Sequence, residues 1–389
     1  MKLLPFQINA STQITERFIK YMEDPLLITR NKIVPFYQNL YSITGSGKTL
    51  ILADAVEQIR TQLPTEPIVL WLSKGKVIVL QTYTNLSTGK YAELLGGYDV
   101  KPLLECTYDD ISEPEQGLLL VATTGKFNQK DMENGDRKIF QIALDNADKS
   151  LWEMLKLRKY ENGIRRQLII VYDEGHNLSD QQTELLLKLE PDALIASSAT
   201  MKIPEALSKI IDRLKRDKEW KDSDFVTTVK SSDVVKSGLV KQHIMLGGYI
   251  TPMEIALDEM LDDMENVSKS ANKLGLSFSP KAIYVSNTNI ASGVDYKKSI
   301  LVPFNERMAR PIVIWRHLVS KGIDPSDIAI YCNLKFDSKF PPPPNFNLFN
   351  GGDSDYANFI SGTYKHIIFN LTLLHCLDLD NAVQVCLRI

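Results

Sequence analysis

The sequence predicts an α/β protein built on parallel sheets, and three observations carry that expectation. A glycine-rich turn stands between an extended segment with apolar and aromatic residues (34–41) and an amphipathic helix (50–63). Short apolar runs recur after it, ending in polar or charged clusters. Such runs alternating with helical stretches are the pattern of parallel sheets, whose strands are buried on both faces.

The composition sets bounds. A chain of 389 residues has room for two or three domains. Its 44% apolar and 24% charged content is that of an ordinary soluble globular protein. The net charge of −3 supplies no overall positive field, so contact with nucleic acid would have to come from a local groove. The four cysteines (Cys106, Cys332, Cys376 and Cys386) form no C-x-x-C pair. That argues against a zinc site or a disulfide framework and for a reducing, cytoplasmic setting. No apolar run approaches the length of a membrane span, and the N-terminus lacks a signal-peptide pattern.

The first segment, to Met22, reads as a short lead into a helix with Ile14, Phe18 and Met22 on its apolar side. Gln7 lies in the lead. Its amide can pair with both N6 and N7 of adenine or serve as an ordinary polar residue near a helix start, and the residues leave both readings open.

The turn itself runs Ser42, Ile43, Thr44, Gly45, Ser46, Gly47, Lys48, Thr49. Strand, turn and helix follow in the order a phosphate-binding loop requires. Gly45 and Gly47 can take backbone angles closed to other residues and let main-chain N–H groups approach a polyphosphate. The helix N-terminus adds partial positive charge beneath it. Lys48 is placed to reach the β- and γ-phosphates of ATP, and Thr49 to offer its hydroxyl to Mg²⁺. Thr44, Gly45, Ser46, Gly47, Lys48 and Thr49 are therefore the expected cofactor-binding set. The pattern G-x-x-x-x-G-K-[ST] is met except at its first position, where Ser42 stands.

Residues 67–72 read as a buried strand, followed by Ser73 and Lys74; residues 118–122 read as another, followed by Thr123. Open α/β sheets bind ligands at such C-terminal strand ends. Ser73, Lys74 and Thr123 suit the phosphates of a nucleic-acid strand, with plain solvated loops as the alternative. Residues 130–166 carry charge and one amphipathic helix around Leu151, Met154 and Leu155. The basic cluster Lys156, Arg158, Lys159, Arg165 and Arg166 reads as a solvated helix face, with contact to a phosphate backbone as the alternative.

A wholly apolar run then delivers Asp173, Glu174, Gly175 and His176, 125 residues after Lys48. Asp173 would hold Mg²⁺, and Glu174 would orient and deprotonate the water that attacks the γ-phosphate. With Lys48 they form the expected catalytic set. A further strand ends in Ser198, Ala199 and Thr200. Hydrogen bonds from Ser198 and Thr200 toward His176 or Glu174 would report γ-phosphate loss to a neighbouring domain.

The order G-S-G-K-T, D-E-G-H, S-A-T resembles that of superfamily 2 helicases and translocases. D-E-G-H, with Phe6 and Gln7 near the start and T-T-G-K-F-N from Thr123, is similar to the Res subunit of type III restriction enzymes. The resemblance covers residues 1 to about 205. It implies a RecA-like, parallel-sheet P-loop domain over 1–235 and a second, incomplete RecA-like domain over 236–389. It also implies an ATP-dependent DNA helicase or translocase using Mg²⁺, acting on duplex or single-stranded DNA with a modification methyltransferase as partner. Gln7 then takes the adenine role and Thr123 a nucleic-acid backbone contact.

In the second half a linker is expected near 225–245. Met253, Leu257, Met260, Met264 and Val267 share one helical face and read as core. Residues 281–285, 328–331 and 366–370 read as strands and 312–318 as helix, which suggests a second parallel sheet. The stretch from Ser361 to Thr372 resembles the approach to a family segment E-G-W-D, but His375, Cys376, Leu377 and Asp378 keep only the aspartate. No Q-x-x-G-R-x-x-R segment, whose arginine stabilises the transition state in that superfamily, precedes Ile389. The sequence therefore suggests a C-terminally truncated form, with a hydrolysis-deficient ATP- and DNA-binding remnant as the alternative.

Overall fold

Helix α1 (Pro5–Glu23) starts on a proline whose fixed φ suits the first turn, and Gln7 Oε1 accepts from Leu4 N at 2.9 Å to cap it. Its buried residues recur at three- and four-residue steps, from Gln7 through Ile14 and Phe18 to Tyr21. A small antiparallel pair follows, β1 (Leu27–Thr29) with β2 (Lys32–Ile33). The remaining elements of the first unit come in the order β3 (Phe36–Tyr41), α2 (Lys48–Gln62), β4 (Ile68–Ser73), α3 (Lys76–Ser87), β5 (Tyr98–Pro102), α4 (Tyr108–Ser112), β6 (Gly117–Thr123), α5 (Leu151–Leu157), β7 (Leu168–Tyr172), α6 (Asp180–Leu187), β8 (Ala193–Ser198), α7 (Glu205–Lys218), β9 (Val226–Thr228) and α8 (Ser231–Lys236).

This computed structural model describes residues 2–29, 32–74, 76–112, 115–127, 139–141, 149–160, 163–173, 178–198, 203–239, 252–276, 279–286, 296–349, 363–370 and 384–388. The chain divides into two compact units, Met1–Ile244 and Met245–Ile389.

The first unit holds a seven-stranded sheet in the order β5-β6-β4-β7-β8-β3-β9, every neighbouring pair parallel. It is the RecA-like P-loop architecture expected for this half. Strands β4, β7 and β8 are buried along their whole length, as apolar runs inside a doubly covered sheet must be. Helices α1 and α2 lie on one face. Phe18 of α1 meets Phe36 of β3 edge-on at 5.5 Å, and Tyr98 Oη of β5 donates to Val56 O of α2 at 2.9 Å.

Two arginines pin the edge of the unit opposite the glycine-rich turn. Arg166, fully buried, donates to the carbonyls of Glu66, Pro67, Asp110, Ile111 and Gln116. Arg158, equally buried, donates to the carbonyls of Leu155, Lys156, Arg166, Leu189 and Glu190 and pairs with Asp192 at 3.2 Å. Burial pushes the Arg158 guanidinium down to about 10, which leaves it charged at neutral pH. The basic cluster therefore divides. Arg158 and Arg166 are neither a solvated helix face nor a phosphate contact but internal braces that satisfy loop carbonyls. Arg165, in contrast, is part-exposed and paired with Glu190 at 3.3 Å.

The second unit is a separate α/β layer. Its elements are α9 (Met253–Lys273), β10 (Lys281–Ser286), α10 (Tyr296–Ser299), α11 (Arg310–Ser320), β11 (Ile328–Tyr331), β12 (Leu348–Phe349), β13 (His366–Asn370) and β14 (Gln384–Arg388). The five strands run parallel in the order β12-β11-β13-β10-β14. Leu257, Met260 and Met264 of α9 join Ile312 and Trp315 of α11 in one apolar cluster, the core role expected of the methionine stripe. Within the sheet, Tyr284 Oη lies 2.9 Å from His366 Nδ1. Burial pushes the His366 imidazole down to about 4 and the Tyr284 phenol up. Among the described residues no helix is long and apolar enough to cross a membrane. Cys106 and Cys332 are buried thiols that donate to the carbonyls of Thr107 and Ile368, each at 3.6 Å.

Candidate nucleotide and nucleic-acid site

The turn after β3 is shaped by its glycines. Gly45 and Gly47 hold φ of 83° and 81°, in the left-handed region where a side chain is strained. Gly47 caps α2 from that conformation. A Cβ there would lie 2.6 Å from Gln7 Nε2, so the position is closed on both counts. Lys48 and Thr49 follow as the first helical residues, at the end of α2 where free backbone N–H groups and the helix dipole converge.

Strand order then explains how Thr49 meets Asp173. Strand β8 lies between β3 and β7, so the ends of all three strands stand side by side. Asp173 N donates to Leu72 O at 3.1 Å, extending the β7 ladder by one residue. The Asp173 carboxylate takes two hydroxyls: Thr49 Oγ1 donates to Oδ2 at 2.6 Å and Ser197 Oγ to Oδ1 at 2.6 Å. Short bonds of this kind to a carboxylate are charge-assisted.

Ser197 was not among the expected residues; Ser198 was. Leu40 of β3 pairs with Ser197 and Tyr41 with Ser198, and the two serines point to opposite faces. Ser197 shares the face of Asp173, whereas the Ser198 carbonyl accepts from Ser42 N at 3.4 Å at the start of the turn. The only hint in the sequence was the Ser-Ser pair, and its parity cannot be read without the strand register.

Gln7 reaches the same turn from α1. Its Nε2 donates to Ser46 O at 3.0 Å while Oε1 caps its own helix. Both halves of the amide that could read adenine are thus held by the chain itself. Ser46 is fully buried, and among the described residues Ser42 Oγ, Ser46 Oγ and Ser73 Oγ are buried without a hydrogen-bond partner. Lys48 is 7% exposed.

The donor set fits a small hard cation. Thr49 Oγ1 and Asp173 Oδ2 are oxygen donors already in contact, and no cluster of three His, Cys, Asp or Glu side chains occurs among the described residues. Two protein oxygens supplemented by phosphate and water are what Mg²⁺ accepts; an all-protein cage is not needed.

At the neighbouring strand ends, Ser73 of β4 pairs with Thr123 of β6 in register. Ser73 is buried, Thr123 half-buried and Lys74 exposed. Only Lys74 and Thr123 stand open to a passing strand. Glu174, His176 and Thr200 lie outside the described residues, as do His375, Cys376, Leu377 and Asp378.

The sequence matches the family described as type III restriction enzyme, res subunit, over residues 1–203, just over half of the chain. No curated protein matches it. Among solved structures it is similar to S. cerevisiae Dbp5 bound to RNA and ADP BeF3, with 14% identity and a TM-score of 0.35 across 95% of this chain and 74% of that one. A variant Dbp5 of S. cerevisiae bound to Nup159, a Gle1 variant, IP6 and ADP matches at 14% identity and a TM-score of 0.37, covering 95% of this chain and 76% of that one. The RNA helicase Prp28 from Chaetomium thermophilum bound to ADP matches at 14% identity and a TM-score of 0.30, covering 97% and 74%.

Proposed function

Because the chain belongs to the Res-subunit family of type III restriction enzymes, within the superfamily 2 helicases, we propose that it is a nucleic-acid-dependent ATPase of translocase type. The observation that carries this reading is the Asp173 carboxylate, held between Thr49 of the phosphate loop and Ser197 of the intervening strand. ATP is the substrate, with Gly45, Ser46, Gly47 and Lys48 around its phosphates. The Gln7 amide would offer adenine the second N–H and second oxygen lone pair that its bonds to Ser46 O and Leu4 N leave over. Thr49 and Asp173 are the residues that would hold Mg²⁺, which would supply positive charge against the phosphates. Lys48 places a fixed cation where negative charge grows during transfer, and Glu174 takes the proton of the attacking water. Ser197, bonded to the other Asp173 oxygen, keeps that carboxylate from rotating.

DNA is the nucleic acid this family's restriction role favours, with Lys74 and Thr123 as its backbone contacts and Ser73 beneath them. A modification methyltransferase subunit is the partner that role implies, in the cytoplasm. His176, Ser198 and Thr200 would couple phosphate release to motion.

Equilibrium titration of a fluorescent ATP analogue tests the nucleotide half. Binding that needs Mg²⁺ and is lost at least about tenfold in Lys48→Ala is expected. Binding indifferent to both would remove the proposed pocket. Parallel titrations with duplex DNA, single-stranded DNA and RNA decide the second half, and tighter binding of RNA than of either DNA would count against the restriction role.

A further inference from the structure

The interface between α1 and α2 carries a polar stripe that the nucleotide chemistry does not explain. Gln7, Ser11 and Thr15 follow one another at four-residue steps along α1, and all three are buried, Ser11 and Thr15 completely. That spacing lines them on one face. Gln7 donates to Ser46 O in the phosphate loop. Four residues on, the Ser11 hydroxyl donates to Asp54 Oδ2 of α2, with the Ile8 carbonyl 3.0 Å away as its other possible acceptor. Gln58 Nε2 closes the group, donating to the same Asp54 Oδ2 at 2.7 Å and approaching Ser11 Oγ at 3.2 Å. Thr15 Oγ1 bonds back to Ser11 O at 3.0 Å and lies 3.3 Å from Ala55 O across the interface.

Apolar contacts such as those of Ala10, Ile14, Val56 and Ile59 change little when two helices slide past each other. The half-buried Asp54 carboxylate takes one donor, Gln58, from its own helix and one, Ser11, across the interface, and sliding α1 breaks the second while Gln7 leaves the loop. Each residue of slip moves α1 by about 1.5 Å, and one turn moves it by about 5.4 Å. Either displacement would carry the Gln7 amide out of hydrogen-bond reach of Ser46 O.

We propose that Ser11, Asp54 and Gln58 form a register lock that fixes α1 along α2 and thereby holds Gln7 on the phosphate loop. Asp54 is then a positioning residue for the nucleotide pocket, acting through Gln7 and touching no substrate itself. The consequence for base selectivity rests on the adenine role proposed above for Gln7; the lock itself does not.

Hydrogen exchange of the loop amides (43–49) in the nucleotide-free chain reads the lock directly. Asp54→Ala and Gln7→Ala should each speed loop exchange, by about fivefold or more, and the double variant should be no faster than either single one. Asp54→Asn keeps an acceptor for Ser11 and should return exchange toward the native rate. Ser11→Ala serves as the second probe where Asp54→Ala lowers the melting temperature too far. Unchanged loop exchange in Asp54→Ala with native circular dichroism, or effects that add in the double variant, would overturn the lock. Calorimetric binding of ATP, GTP and tripolyphosphate separates the two ideas. Loss of ATP-over-GTP preference in both Gln7→Ala and Asp54→Ala, with tripolyphosphate binding kept, supports the whole chain of action. A loop that responds while base preference does not would leave the lock standing and remove the adenine role.

Discussion

At Asp173 two hydroxyls occupy the two oxygens of one carboxylate, so the group is oriented before any ligand arrives. Removing its charge should cost more than removing either hydroxyl. Asp173→Asn is expected to lower ATP turnover by about 10²–10³, the range seen when a preorganised electrostatic group is lost. Ser197→Ala should lower it by about tenfold, the worth of one charge-assisted bond, while Ser198→Ala, which leaves both Asp173 bonds in place, should lower it less. Steady-state turnover at saturating ATP checks the order; a larger loss in Ser198→Ala than in Ser197→Ala would contradict the face assignment. The fold brings Thr49 and Asp173 into contact, and both the turn that carries Lys48 and Thr49 and the strand end that carries Asp173 were legible in the sequence. Ser197 was not, because one residue of strand parity decides which serine faces the carboxylate. Asp54 was equally invisible, since its role exists only once two helices are packed.

A second residue-scale prediction concerns His366, buried against Tyr284 with its folded pKa pushed down to about 4. The unfolded chain binds a proton near pH 6.5, so between those values the unfolded state holds more protons than the folded one. Stability from this group is complete above about 6.5, falls as pH drops toward 4, and changes no further below it. The slope is at most about 1.4 kcal/mol per pH unit. Thermal melts from pH 7 to 4 should be less steep in pH for His366→Gln than for the native chain. Equal slopes would show that the imidazole titrates freely.

At the scale of elements, the strands that the sequence disclosed are the interior ones. In the first sheet β3, β4, β6, β7 and β8 were expected, and the two missed, β5 and β9, are its edges. In the second sheet β10, β11 and β13 were expected, and the missed β12 and β14 are again the edges. An interior strand is covered on both faces and must be apolar throughout. An edge strand can be short or polar, as Asp99 and Lys101 within β5 illustrate, and then looks like a loop. The charged stretch ending at Arg166 was misread for a related reason: charge in a sequence suggests water, whereas these loops expose carbonyls inward and need cationic donors. Arg166→Met should therefore destabilise the first unit by at least about 3 kcal/mol, because it strands several buried carbonyls. Arg165→Met, which loses one part-exposed ion pair, should cost under about 1 kcal/mol. Urea unfolding of the two variants distinguishes a brace from a surface charge, and equal midpoints would contradict the bracing role.

For the whole molecule, the two units have separate apolar cores and separate parallel sheets. The first contains the glycine-rich turn, the bonded pair Thr49 and Asp173 and the helix that carries Gln7 in one sheet-and-helix assembly. The family match covers the same half, residues 1–203, which is why that half was the more readable from motifs. The second unit was legible as a fold through its alternating strands and helices, but its motifs fall outside the described residues. The central claim concerns the chain as a whole: that nucleic acid and ATP act on each other through it. Steady-state ATP hydrolysis by the purified chain, with and without duplex and single-stranded DNA and with Lys48→Ala as the blank, tests it most directly. Turnover above the blank that rises when DNA is added is the predicted result. Turnover no greater than that of Lys48→Ala, with or without DNA, in a chain that still binds ATP would contradict it.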